Sequence, residues 1–246
     1  MAGLALTTHN AFWFQGFPFE GTDPGGPAEP VFAALAAEYR RLAPDCLCLQ
    51  EVQSEGAARR LAAELGMSAA WCPGGGLPQY GLAVLARLPV EARDWRSTGF
   101  TPERGWLLAR AGRLLVANVH LPSGRQSGSA RARAQRIEEL REVLRQDPDV
   151  LVGDLNERPG GEVWRFLAGQ GYADAAEAAG AGQLATGRSR QPPKRTDYVW
   201  VRSGLAAGLK YAVVAEEDFA APAGAPGLSL LSDHFPVTVR LRLGRG

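Results

Sequence analysis

Basic residues are missing from the first 39 positions of this 246-residue chain, the earliest being Arg40. The amino terminus therefore lacks the charged region of a secretory signal, and no apolar run is long enough to span a bilayer. A soluble, cytoplasmic protein is expected. Cysteine is scarce. Cys46 and Cys48 stand two apart in a strand-like run, where they are poorly placed to bridge each other, and only Cys72 remains to complete a metal site. Buried, reduced thiols are favoured over a Cys-x-Cys zinc site. A strong charge of either sign is absent too: the formal net charge is +1, which excludes holding a polyanion by bulk charge but leaves local basic patches open. Lysine is nearly absent, Lys194 and Lys210 being the only two among 27 cationic residues. Arginine forks match phosphate oxygens, although a codon bias toward arginine explains the excess as simply.

What is present is a rhythm. Short aliphatic or β-branched runs at 4–8, 45–50, 80–86, 106–110, 113–119, 149–153, 197–202, 209–214 and 237–243 read as strands, several alternating with helical patterns. Helices are expected at 28–43 behind Pro27 and Pro30, at 55–65 between Ser54 as N-cap and Gly66, at 129–146, and at 161–170. An α/β layered fold follows, without an internal repeat, and the length suits a single domain over residues 1–246 acting as a monomer. Ala111-Gly112 suggests a tight hairpin that delivers His120. Two Gly/Ala/Pro-rich stretches, 178–195 and 220–229, read as surface loops, each leading into an acidic motif.

Polar clusters stand where the apolar runs end. Glu51 closes the near-continuous run Asp45–Gln50, and a buried carboxylate there needs a cation or a donor. It is the leading metal-ligand candidate, and Asn10, ending the first run, could offer its carbonyl to the same hard ion or serve as a turn residue. In Gly153-Asp154-Leu155-Asn156 the glycine allows a close backbone approach. The acid and amide two residues on can orient a water and hold a phosphoryl oxygen, with an Asx turn as the plainer reading. His120 and His234 both follow such runs and suit acid–base work near neutral pH. Asp197 could orient the His234 ring through its second nitrogen. His9 falls on the face opposite Asn10 and is read as structural.

Six motifs in order resemble the endonuclease/exonuclease/phosphatase (DNase I-like) superfamily: Asn10; Leu49-Gln50-Glu51-Val52; Tyr80-Gly81-Leu82-Ala83-Val84-Leu85; Asn118-Val119-His120-Leu121; Gly153–Asn156; and Asp197-Tyr198 with Ser232-Asp233-His234. The resemblance implies two mixed β-sheets packed face to face with helices outside, a four-layer α/β/β/α sandwich, with the site along one rim. It implies a metal-dependent phosphoesterase that attacks a phosphodiester in line with water. Glu51, Asn10 and Asp233 would hold Mg²⁺ or Mn²⁺. Asp154 and Asn156 would position the water, His234 held by Asp197 would be base or phosphate contact, and His120 would donate to an oxygen. Whether Asp154 or His234 takes the water's proton stays open. Tyr80, Arg125 and Arg195 are the substrate-contact candidates, and the basic groups at 125–136 and 188–195 on either side of the site suggest nucleic acid as a partner. Phe12 replaces the acid that AP endonucleases of this superfamily carry after the first asparagine, and His120 replaces a tyrosine motif. Both departures count against base-excision repair, and the His120-Leu121 form resembles the DNase, sphingomyelinase and phosphatase branches. The aromatic bulk of Phe12–Phe17 could stack a base, contact a lipid or staple the following helix. The alternatives are a phosphomonoesterase on a small or lipid phosphate, or a catalytically silent binding member of the fold.

Overall fold

The computed structural model describes residues 3–95, 104–124, 128–188 and 193–242. Their order is β1 (Leu4–Asn10), α1 (Glu29–Leu42), β2 (Cys46–Gln50), α2 (Glu55–Leu65), β3 (Ser68–Cys72), β4 (Leu82–Ala86), β5 (Val90–Asp94), β6 (Gly105–Ala111), β7 (Leu114–His120), α3 (Ser129–Leu144), β8 (Val150–Asp154), α4 (Glu162–Gly169), β9 (Tyr172–Asp174), α5 (Ala175–Ala178), β10 (Asp197–Arg202), β11 (Lys210–Val213) and β12 (Val237–Leu241). Two six-stranded sheets result, ordered β11-β12-β1-β2-β4-β3 and β5-β6-β7-β8-β10-β9. Each is mixed: β1 runs parallel to β2 and β7 to β8, amid antiparallel neighbours.

Strand alternation explains why the runs look continuously apolar. In β2, Cys46 and Cys48 point into the layer between the sheets, while Leu47 and Leu49 point outward to Phe32, Leu35 and Leu61 of α1 and α2. On the second sheet Leu151, Trp200 and Val119 face outward to Leu140 and Leu167 of α3 and α4. Both faces of both sheets are covered, which is the expected sandwich. The thiols are buried and unbridged, as the sequence suggested.

Local signals set the ends. Ser54 Oγ accepts from Ala57 N–H to cap α2, and Gly66, at φ 63°, closes it. The β6–β7 hairpin forms with its turn at Gly112-Arg113, one residue later than expected, and Gly112 supplies the positive φ. Gly153 runs so close to β7 that a Cβ there would overlap the Val119 carbonyl oxygen. Among the described residues no helix is long and apolar enough to cross a membrane.

Candidate active site

The layer between the sheets changes character at one end. The strand faces that carry Leu6, Cys48, Val116, Val152 and Val199 through the core continue, two residues on at a time, to Asn10, Gln50, His120, Asp154 and Asp197. Register aligns them: Asn10 pairs with Gln50 on the first sheet, and His120, Asp154 and Asp197 stand side by side on the second. The site is thus the polar rim of the core, and it opens into a cavity of about 670 Å³.

Asp197 accepts from His234 Nδ1 at 2.8 Å through Oδ2, and 3.0 Å separates Nδ1 from Oδ1. Thr186 Oγ donates to the same carboxylate at 2.6 Å. His234 Nε2 then faces the cavity, 3.9 Å from both Asp154 Oδ2 and Asp233 Oδ1. Burial opposes a charge on this imidazole, but the carboxylates of Asp197, Asp233 and Asp154 together outweigh it and hold its pKa well above the usual imidazole range. Asp154 is pushed up to about 6, by burial first and by the Asp197 charge second. Its Oδ1 accepts from Asn156 N–H at 2.8 Å, an Asx turn that places the Asn156 amide beside it with φ 51°.

Glu51 occupies the other side. Burial drives its pKa up to about 7 against the pull of Arg104. Asn10 Nδ2 donates to Glu51 Oε1 at 3.1 Å, while Asn10 Oδ1 accepts from Phe12 N–H at 3.0 Å. Here the expected metal-ligating carbonyl is engaged otherwise. The Phe12 amide takes one lone pair of Asn10 Oδ1 and Glu51 takes an Nδ2 proton, so Asn10 supports the Glu51 carboxylate with a second lone pair on its oxygen left over. Glu51 Oε2 is buried without a hydrogen-bond partner among the described residues. A carboxylate oxygen left so is costly, and a hard divalent cation is the group that an acid with Asp233 nearby would take.

His120 is also buried, with its pKa pushed well down by burial, then by Arg104 and His234. Its Nε2 meets an Arg104 N–H, and since guanidinium only donates, that nitrogen is an acceptor and the ring proton sits on Nδ1. The expectation that His120 donates to substrate is not met in this arrangement; the donor at that place is Arg104, whose guanidinium stacks 4.4 Å from the Tyr80 ring centre. Arg104 went unnoticed in the sequence as one arginine among many. Tyr80 does border the cavity. Arg125 lies outside the described residues. Arg195 is not brought to the cavity: it is 4% exposed and bound to Asp174 and Glu177 at 2.6 and 2.7 Å, because two acids near β9 and α5 offer a buried arginine its counter-charges. Among the described residues, the arginine and lysine side chains that border the cavity are Arg104, Arg133, Arg136 and Lys194. Of the two stretches read as surface loops, 178–195 contributes Gly187 and Lys194 to the cavity lining, whereas 220–229 ends on Ser229, which with the next residue Leu230 pairs with Phe17.

His9 sits beneath the site as a structural residue should. It is fully buried between Tyr39 OH, 2.6 Å from Nδ1, and the His234 carbonyl, 3.1 Å from Nε2.

Residues 7–234 match the model of the endonuclease/exonuclease/phosphatase family. The chain belongs to that family. Members of the endonuclease/exonuclease/phosphatase family are typically phosphoester hydrolases, and Glu51 and the Asp154, Asp197 and His234 cluster fall within the matched residues. Solved structures agree in fold. An endonuclease/exonuclease/phosphatase from Beutenbergia cavernae is 23% identical with TM-score 0.65, over 99% of this chain and 72% of that one. An AP endonuclease from Archaeoglobus fulgidus is 16% identical with TM-score 0.72, over 98% and 100%. A 3′ phosphatase from Neisseria, bound to a product DNA hairpin, is 20% identical with TM-score 0.67, over 98% and 100%. Among curated proteins none matches the chain significantly.

Proposed function

We propose that this family member is a divalent-metal-dependent phosphodiesterase that transfers a phosphoryl group to water. The observation that carries the reading is the buried Oε2 of Glu51, without a hydrogen-bond partner among the described residues, within one connected set of acid, imidazole and guanidinium groups. Glu51 and Asp233 would hold Mg²⁺ or Mn²⁺. The ion, when bound, supplies Lewis-acid stabilisation of charge on the phosphoryl oxygens.

The chain's own groups do the rest. Asp154 and the Asn156 amide position a water, and Asp154, with its pKa raised to about 6, takes the water's proton as the new P–O bond forms and the opposite P–O bond breaks, the leaving oxygen departing as an alkoxide that takes a proton from solvent. His234, kept cationic by Asp197, contacts a non-bridging oxygen. Arg104, set by His120 and Tyr80, donates to another oxygen of the phosphoryl group. Arg133, Arg136 and Lys194 in the cavity lining suit the flanking phosphates of a nucleic-acid strand, the substrate class that the DNA-bound Neisseria 3′ phosphatase makes worth testing first.

The test compares bis-p-nitrophenyl phosphate with p-nitrophenyl phosphate under Mg²⁺, Mn²⁺ or EDTA, with His234→Ala as control. Metal-dependent release from the diester, lost in the variant, is expected. Release from the monoester alone would make the chain a phosphomonoesterase, and Glu51→Ala and His234→Ala variants that kept wild-type hydrolysis would sink the mechanism.

A further inference from the structure

Three successive bulky residues, Phe12, Trp13 and Phe14, have φ of 48°, 53° and 58°. Left-handed backbone costs an L-residue roughly 1–2 kcal/mol, and a run of three with aromatic side chains persists only where its surroundings impose it. Here they do. Ala11 N–H donates to Gln50 O and Trp13 N–H to Glu51 O, each at 2.9 Å. Gln53 Nε2 donates to Trp13 O, and the Trp13 indole to Gln79 O, both at 2.8 Å. The turn is therefore fastened to the backbone of Glu51 itself, and it brings two rings to the cavity wall.

Trp13 is buried, 5% exposed, and stacks on Phe12 with ring centres 5.5 Å apart at 23°. Phe17 and Phe19 meet Phe12 at 6.3 Å each, tilted at 56° and edge-on at 88°. Phe12 is half-buried, supported on one face by the indole, and borders the cavity. The proposed mechanism does not use it. A helix staple does not account for it either, since within this turn it is Phe14 that packs on Phe32 of α1, at 5.0 Å.

We propose that Phe12, backed by Trp13, is a stacking subsite for a nucleobase on the nucleoside next to the scissile phosphate. The proposal rests on the phosphodiesterase reading and names its substrate class. The cavity lining combines what a nucleotide combines: the aromatic rings of Phe12 and Trp13, and cations at Arg133, Arg136 and Lys194. Aromatic platforms beside a cationic groove are how single strands are held without sequence readout. A lipid chain fits less well. Among the described residues the exposed large hydrophobic side chains are Leu88 and Leu184, neither of them in this cluster, so the lip has no apolar protrusion to enter a bilayer.

Two esters with the same leaving group decide it: p-nitrophenyl thymidine 5′-phosphate and methyl p-nitrophenyl phosphate. The ratio of their kcat/KM values cancels general damage to the site. Loss of one stacked base is worth roughly tenfold, so Phe12→Ala and Phe12→Leu should each lower the ratio about tenfold, and Phe12→Tyr should keep it. A ratio unchanged in Phe12→Ala overturns the subsite. Calorimetric titration with thymidine 5′-monophosphate and with 2-deoxyribose 5-phosphate reads the same ring without turnover. If wild type cleaves neither ester, the phosphodiesterase reading fails, while tighter binding of the base-bearing ligand, lost in Phe12→Ala, still upholds the stacking. Equal binding of the two ligands, or Phe12-dependent sedimentation with phosphatidylcholine–phosphatidylserine vesicles, overturns it.

Discussion

Gln50 and Asn118 join the two sheets directly, Gln50 Nε2 donating to Asn118 Oδ1 at 2.7 Å. Asn118 Nδ2 returns to the first sheet, 2.9 Å from Leu49 O and 3.0 Å from Ala83 O. Glu51 follows Gln50, and His120 stands two residues beyond Asn118 on the same face, so this fully buried pair sets the spacing between the two halves of the site. Asn118→Ala removes all three of these buried hydrogen bonds, although Gln50 Nε2 keeps Thr8 Oγ1 at 3.0 Å. It should cost about 2–4 kcal/mol, read by denaturant unfolding, and should lower hydrolysis more than metal binding. A loss below about 1 kcal/mol would mean that apolar packing alone holds the sheets in register.

Glu51 carries a stability cost that a bound cation would offset. Its folded pKa of about 7 lies above the ordinary 4.5, so the carboxylate costs stability progressively as pH rises from 4.5 to 7. Across that window the cost comes to about 3 kcal/mol. Without metal at pH 8, Glu51→Gln should melt higher than wild type. Added Mg²⁺ or Mn²⁺ should then raise the melting temperature of wild type and leave the variant unmoved. An equal metal response in both proteins would remove Glu51 from the metal's ligands.

Asp197→Asn keeps an acceptor beside His234 but removes the largest of the three carboxylate charges that hold its pKa up, leaving those of Asp233 and Asp154. The folded pKa of His234 is raised, so its contribution to stability is fully present below the ordinary imidazole value and is lost as pH climbs through the raised one. The variant's stability deficit should accordingly be largest at acid pH and shrink in alkali. Its kcat should fall by about 10²–10⁴, the scale seen when an orienting carboxylate is neutralised in a hydrolytic triad. Thermal melts and rates across pH 5–10 check both.

His9 gives the opposite sign. Burial lowers its pKa from 6.5 to about 3, so the unfolded chain takes up a proton that the folded chain refuses. The stability this residue protects is complete above pH 6.5 and falls as pH drops toward 3, by about 4 kcal/mol over the whole window. His9→Gln should weaken the protein at neutral pH and flatten that acid limb, measured by unfolding at pH 7 and pH 4.5. An unchanged limb would assign acid sensitivity to other groups.

What the sequence disclosed follows from how local each signal is. β2, β8 and β10 are buried on both faces and announce themselves as apolar runs, and α2 carries its own cap and stop. β5 is a charged, largely exposed edge strand, β9 spans three residues, and β3 begins Ser-Ala-Ala, so none had a pattern to see. At the site, Asp154, Asp197 and His234 were legible because each ends a strand or opens a motif. Arg104 was not, since its meaning comes from Tyr80 and His120, 24 and 16 residues away in the chain. Asn10 was found but its orientation was not, because only the Phe12 amide decides which end of the carboxamide faces Glu51.

Arg195 and its neighbour Lys194 separate a basic patch in sequence from a basic surface in space. They are adjacent, yet Lys194 borders the cavity while Arg195 turns into the protein, 4.8 Å from the Tyr198 ring and bound to Asp174 and Glu177. Removing one partner of a buried ion pair strands the other, which costs about 3–5 kcal/mol. Arg195→Ala should therefore unfold at markedly lower denaturant, with the KM of the surviving folded fraction for a diester unchanged. Lys194→Ala should keep most of its stability and raise KM, with the increase shrinking as salt rises, because a phosphate contact is screened and a buried pair is not. If instead Arg195→Ala raised KM at wild-type stability, the arginine would have to swing out to the substrate, and the buried network with Asp174 would be a resting arrangement of the site.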